Sequence, residues 1–384
     1  MIERKLKGIL EKAARQYPAV TLFGPRQAGK TTLVRAVFAG HAYVNLEDPT
    51  ELELAKLDVR RFFTLHPAPV IIDEVQRYPE LISSVQVMID EKRDAMGQFI
   101  LTGSHQPLLA ASVSQSLAGR TSVLTLLPFS IDECGGDEST DAMILKGFMP
   151  DVRARGIDPG DYYRNYFKTY VERDLRQLIN VRNVILFERF ITLLAGRIGQ
   201  VVNMTSLANE TGVSSQTIGE WISILEASFL VFRLTPYFSN ISKRLVKSPK
   251  IYFTDVGLAA YLLGLENAAQ VARDPLRGQL FENLVIADVL KQVLNSGKEP
   301  RLSFLRTGKG FEIDLLMREG MASRPVEIKS AMTYRPSLAA NLRAYSRAEA
   351  NSVRPTLVYD GESHPDVEGD AVKVVNFRDF SVKA

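Results

Sequence analysis

The sequence has little of what marks a secreted, membrane-bound or metal-clustered protein. Cys134 is the only cysteine in 384 residues. It excludes an internal disulfide and a thiolate metal cluster. No apolar run is long enough to span a bilayer. The opening Met1-Ile-Glu-Arg-Lys-Leu-Lys lacks the long apolar core of an export signal. A cytoplasmic protein with no membrane partner is therefore expected. Excess charge of one sign is also lacking, because the net charge is only +3. Any contact with nucleic acid must come from local patches, not from a global field. Internal repeats and low-complexity tracts are absent as well.

What remains has the balance of a soluble globular protein, with 46% hydrophobic and 24% charged residues. At roughly 150 residues per domain, the length predicts two or three domains.

One stretch organises the chain: Thr21-Leu-Phe-Gly-Pro-Arg-Gln-Ala-Gly-Lys-Thr-Thr32. Gly24, Gly29, Lys30 and Thr31 fit the phosphate-binding loop G-x-x-x-x-G-K-[ST] without a mismatch. An apolar strand run precedes it and a helical run follows, as that loop requires. The glycines let several backbone N–H groups turn toward phosphate oxygens, and the helix N-terminus adds positive partial charge. Gly24, Pro25, Arg26, Gln27, Ala28, Gly29, Lys30, Thr31 and Thr32 are thus the expected nucleotide cradle. Lys30 would reach the β- and γ-phosphates of ATP, and the Thr31 hydroxyl would bind Mg²⁺. Arg26, inside the loop, could also touch phosphate.

Apolar strand runs recur at 19–24, 42–46, 69–73, 98–103 and 122–127, mostly with helical stretches between them. That alternation predicts a parallel sheet covered on both faces. Val70-Ile-Ile-Asp-Glu74 ends in two carboxylates. Asp73 is expected to hold Mg²⁺, directly or through water, and Glu74 to polarise the attacking water. Thr102 and Ser104 end another strand, where ligands of open parallel sheets bind. Either could sense the γ-phosphate.

These motifs resemble an AAA-type ATPase core. The resemblance implies that a subunit offers an arginine to its neighbour's nucleotide, and Arg120 in Ser116-Leu-Ala-Gly-Arg120 is the candidate. It also implies a homo-oligomer.

The middle of the chain opens with 134–160, a poorly patterned stretch read as a linker with one short helix at most. A helical stripe follows over 161–180. Ser206–Glu210 and Ser214–Phe229 then read as two helices around a Gly212 turn, a helix-turn-helix. Gln216, Thr217 and Glu220 would face outward, where base edges are read. Two strand-like runs flank Lys243, Arg244, Lys247 and Lys250, the outline of a winged helix with a basic wing on DNA phosphates.

The last third places Glu282 on a helix, Asp314 on a strand and Glu327-Ile-Lys329 on a second strand. This order is the looser form of the PD-(D/E)xK nuclease signature. Glu282, Asp314 and Glu327 are hard oxygen ligands suited to Mg²⁺, and Lys329 could orient a water for attack on a phosphodiester.

From end to end the chain resembles a prokaryotic family that joins an AAA-type ATPase to a C-terminal domain of unknown function with a nuclease-like core. The matching segments are Gly24–Thr32, Asp73-Glu-Val-Gln76, Leu101-Thr-Gly-Ser104, Leu117-Ala-Gly-Arg120, Tyr170-Val-Glu-Arg-Asp-Leu175, Ser248-Pro-Lys250, Phe281-Glu-Asn283, Phe311-Glu-Ile-Asp314 and Val326-Glu-Ile-Lys329. The expected architecture is an α/β P-loop domain (1–133), a linker (134–160), an α-rich winged-helix domain (161–265) and an α/β nuclease-like domain (266–384). The expected function is ATP-driven remodelling or processing of DNA, branched DNA included. The alternative is a nucleotide-dependent switch that binds protein partners around an inactive nuclease-like core.

Overall fold

The computed structural model describes residues 2–104, 113, 115–169, 184–237, 248–307, 310–364 and 372–382. Tyr170–Leu175, Lys243, Arg244 and Lys247 lie outside the described residues.

The five apolar runs of the first third are five parallel strands: β1 (Ala19–Phe23), β2 (Ala42–Asn45), β3 (Val70–Asp73), β4 (Phe99–Gly103) and β5 (Thr121–Thr125). Their order is β2-β3-β4-β1-β5. β1, β3 and β4 are buried along their whole length, which is why they read as continuous apolar runs instead of alternating ones. Successive residues feed opposite cores. Val20 and Leu22 pack with Leu6, Leu10, Leu33 and Ile100. Ala19 and Phe23 pack with Val44, Ile72, Phe99 and Leu101. Because every strand runs the same way, the Gly24 loop, Asp73 and Thr102 emerge at one edge. β4 lies between β1 and β3, so Thr102 falls between the loop and Asp73.

The stretch expected to be a linker is packed protein. It carries the helices Thr140–Lys146 and Pro150–Arg155, and Met143, Ile144, Phe148, Met149 and Val152 are buried. Gly147 looked like linker composition but is a packing residue. A Cβ there would fall 2.1 Å from the Tyr163 hydroxyl and 2.2 Å from a carboxylate oxygen of Asp255.

The expected boundary between the middle and last domains cuts through one sheet. β6 (Val231–Pro236), β7 (Lys250–Phe253), β8 (Leu302–Arg306), β9 (Glu312–Glu319), β10 (Ala322–Lys329), β11 (Thr356–Tyr359) and β12 (Lys373–Asn376) are ordered β12-β11-β10-β9-β8-β6-β7. β6 pairs with β7 on one side and with β8 on the other. A single hydrophobic cluster runs from Phe129 to Phe380. Polar contacts tie the same parts. Arg277 bridges Asp141 at 2.6 Å and Asp360 at 2.8 Å.

Two helices joined at Gly212 lie within this second body. Asn203 caps Met204–Thr211, Gly212 ends it in the left-handed region, and Ser214 caps Ser215–Ala227. Capping oxygens satisfy orphan N–H groups at each start. Ile218, Trp221, Ile222 and Leu225 are the buried face of the second helix. The two strands expected to frame a wing, β6 and β7, are built into the seven-stranded sheet instead of standing free.

Candidate functional site

The phosphate loop is shaped by two glycines, one held by close packing and one by its backbone conformation. A Cβ on Gly24 would sit 2.0 Å from the backbone oxygen of Leu126. Gly29 takes φ +88° as it starts the helix Lys30–Val37. Pro25 and Ala28 are buried, Arg26 and Gly29 are half-buried, and Gln27 and Thr32 are exposed. Lys30 is 5% exposed. Its ammonium donates to the backbone oxygens of Gly24 at 3.0 Å and Pro25 at 2.8 Å. Burial lowers its proton affinity, against the pull of Glu74 and Asp73.

Four donors converge on Asp73, which is 1% exposed. The Thr31 hydroxyl donates at 2.7 Å and the Tyr43 hydroxyl at 2.9 Å to one carboxylate oxygen. Thr102 donates to the other, and so does the Glu74 backbone N–H at 3.2 Å. A buried carboxylate needs such partners. Neither Tyr43 nor Gln76 was assigned a role from sequence. A Tyr on β2 reads as one more strand residue; only the pairing of β2 with β3 brings it to Asp73. Gln76 donates to Glu74 from the next turn. Glu74 sits at φ +56°, an uncommon backbone for a glutamate and one that clusters at functional sites. Its proton affinity is raised, chiefly by burial. Ser104 is buried just beyond β4.

These residues fit a Mg²⁺–nucleotide. The loop supplies amide donors and a buried cation, and the adjoining Thr31 and Asp73 oxygens are hard ligands. Arg120 is elsewhere. Its backbone oxygen accepts from the Ala19 N–H at the start of β1, whereas the loop leaves the end of that strand. The five-residue strand puts them on the order of 16 Å apart. The Arg120 guanidinium pairs with Asp90 through two bonds of 2.8 and 2.9 Å.

The second body gathers the other expected residues, with a change of partners. Lys250 was expected on a basic wing facing DNA. It is 2% exposed on β7 and pairs with Glu282 at 3.1 Å and Glu312 at 2.6 Å. Those two carboxylates outweigh the cost of its burial, and its proton affinity is raised. Lys329 pairs with Glu327 at 2.8 Å and Asp314 at 3.2 Å. Asp314 also accepts the Ile328 N–H at 2.8 Å. Burial and the Asp314 charge push Glu327 up to about 7. Lysines thus stand between the carboxylates that were expected to share an ion. Among the described residues, no three carboxylate, imidazole or thiol groups are arranged to hold a metal. Gln216 is exposed on its helix and donates to Glu220 at 3.0 Å; Thr217 is half-buried. None of the described helices is long and apolar enough to cross a membrane.

Comparison with known proteins divides the chain in three. A family model described as an AAA domain matches residues 16–135. Two models described as domains of unknown function, DUF8612 and DUF4143, match residues 137–269 and 277–380. The first of these takes in the stretch expected to be a linker. The uncharacterized protein Rv2008c of Mycobacterium tuberculosis is 31% identical over 366 residues, 94% of this chain and 81% of the relative. Mb2031c of Mycobacterium bovis matches to the same extent. Among solved structures, the Walker-type ATPase PABY2304 of Pyrococcus abyssi aligns with a TM-score of 0.44 at 16% identity, covering 68% of this chain and 96% of that one.

Proposed function

The chain belongs to the family of AAA-domain proteins that includes Rv2008c of Mycobacterium tuberculosis, and from that premise we propose that it hydrolyses ATP and couples the cycle to gripping DNA. The observation that carries the ATPase reading is the set Lys30, Thr31, Asp73, Glu74 and Thr102 at one edge of one parallel sheet. Lys30 trades two neutral carbonyl partners for phosphate oxygens, a charge-assisted exchange. Thr31 and Asp73 would hold Mg²⁺, which supplies charge neutralisation at the β- and γ-phosphates when bound. Glu74 accepts a proton from the attacking water, and Gln76 holds the carboxylate in place. Thr102 fixes the Asp73 carboxylate from the strand between. Arg120 stands across β1 from its own loop, and in this reading it leaves Asp90 to serve a neighbour in a homo-oligomer.

Two features support coupling to DNA. The Tyr162 hydroxyl of the second body donates to the side chain of Gln27, inside the loop, at 2.8 Å. The helix Ser215–Ala227 exposes Gln216 in a helix-turn-helix setting, with the basic residues Lys243, Arg244 and Lys247 nearby in sequence. Cleavage enters this reading with no step, because lysines hold every carboxylate of the nuclease-like cluster. A switch that binds a protein is favoured by one observation, the Glu220 carboxylate beside Gln216 on the face that would read bases.

The deciding experiment measures ATP turnover with and without duplex, single-stranded and four-way DNA, and repeats it with Lys30→Ala. Stimulation by DNA that disappears in the variant supports the proposal. Indifference to every nucleic acid favours the switch. Turnover that survives Lys30→Ala refutes the assigned nucleotide site.

A further inference from the structure

We propose that a second, electrostatic DNA site lies on the C-terminal sheet, at the opposite end of β9 from the acid–lysine cluster. It rests on the DNA reading above and names where the duplex backbone is held. A cavity of about 800 Å³ opens there, lined by Lys298, Arg301, Arg318 and Arg354, with Glu299 the one carboxylate among its described lining residues. The four cations come from three separate segments, Lys298 and Arg301 sharing the connection between the helix Arg277–Asn295 and β8. Lys298 follows the helix Arg277–Asn295, Arg301 precedes β8, Arg318 lies in β9 and Arg354 precedes β11. All four are exposed.

The concentration of charge is the first argument. The lining carries a formal +3, as much as the net charge of the whole chain. The second argument is the lack of internal neutralisation. Lys298, Arg301 and Arg318 form no ion pair among the described residues. Arg301 and Arg318 are joined through the backbone, the Arg318 N–H donating to the Arg301 oxygen at 3.2 Å. Like charges held together across neighbouring strands are destabilising. A polyanion would relieve that repulsion. The third argument is backbone strain. Arg354 adopts φ +47°, a left-handed conformation that costs a non-glycine residue about 1 kcal/mol or more. Such outliers concentrate at functional positions.

The solvent exposure of all four cations selects the ligand. Solvated arginines gain little from a single small anion. A duplex backbone gains at each contact through release of condensed counterions. Arg318 stands four residues along β9 from Asp314, about 13 Å at the rise of a strand, so this site is separate from the acid–lysine cluster.

The test uses the full chain and a duplex of about 30 base pairs, with affinity measured by fluorescence anisotropy from about 50 to 200 mM salt. Arg301→Ala/Arg318→Ala should weaken binding and lower the slope of log K against log salt by roughly 1.8, near 0.9 per lost phosphate contact. Basal ATP turnover should stay unchanged. Arg354→Gly should lower the slope by roughly 0.9 without loss of thermal stability, because glycine accepts the left-handed backbone. Wild-type binding with an unaltered slope in both variants overturns this site and leaves the DNA reading standing. No duplex binding by the wild type overturns both.

Discussion

Replacing Gln76 with Leu tests the chemistry of the nucleotide site through one hydrogen bond. Gln76 is 7% exposed and its amide N–H donates to the Glu74 carboxylate. Its own carbonyl oxygen has no partner among the described residues. Leucine keeps the volume and removes both a useful donor and an unsatisfied acceptor, so stability should change little. Glu74 feels burial first, which raises its proton affinity, then Lys30, which lowers it; the Gln76 bond also lowers it. Losing that bond must therefore push Glu74 higher still. A hydrogen bond to a charged group contributes about 1.5–3 kcal/mol. A general base must be deprotonated to work, so activity is lost below its folded-state pKa. The acid limb of the kcat–pH profile should start above the ordinary glutamate range in the wild type. In Gln76→Leu it should move further upward, with recovery at alkaline pH. Glu74→Gln should abolish the limb with the activity. Superimposable profiles for the wild type and Gln76→Leu would refute Glu74 as the base.

Tyr162→Phe removes one neutral hydrogen bond to Gln27, worth about 0.5–1.5 kcal/mol. It should reduce the nucleotide-induced change in fluorescence of Trp221, the chain's only tryptophan, which is packed edge-on against Phe187 at 5.2 Å. An unaltered signal with unaltered ATP affinity would break the link between loop and second body. Mixing Lys30→Ala with Arg120→Ala subunits should restore turnover that neither shows alone, since one subunit keeps an intact loop and the other an intact arginine. Activity of Arg120→Ala equal to wild type would reduce Arg120 to its surface pair with Asp90. Glu327 sits near 7 in the folded protein, above its ordinary value. Folding is therefore favoured at low pH by this group, and that favour is lost as pH rises from the ordinary glutamate range toward 7. Glu327→Gln should raise the melting temperature more at pH 8 than at pH 5; equal shifts at both would refute the buried charge.

Local order in the first third is legible along the chain because its signals are local. Glycine spacing, the buried-strand pattern and a terminal Asp-Glu pair all act within a few residues. They fix the loop, the five strands and the placement of Asp73 and Glu74. The two helices around Gly212 are legible for the same reason, since caps at Asn203 and Ser214 and a left-handed Gly212 are short-range devices. The contribution of Tyr43 to Asp73 depends on strand pairing, which no local pattern carries.

The second body shows the limit more sharply. Gly147 and its neighbours have linker composition, yet Gly147 is glycine because Tyr163 and Asp255 leave no room for a side chain. Lys250 belongs to a basic run in sequence, but pairing of β7 with β6 turns it inward between Glu282 and Glu312. Lys329 likewise ties Glu327 to Asp314. By itself the sequence determined the phosphate cradle, its carboxylates and the order of the elements, because each depends on residues close along the chain. Only the tertiary structure decided that the two later segments share one core and one sheet, and that lysines neutralise the acids gathered there. Hydrogen bonding between distant strands and the cost of burying an unpaired charge are the physical reasons.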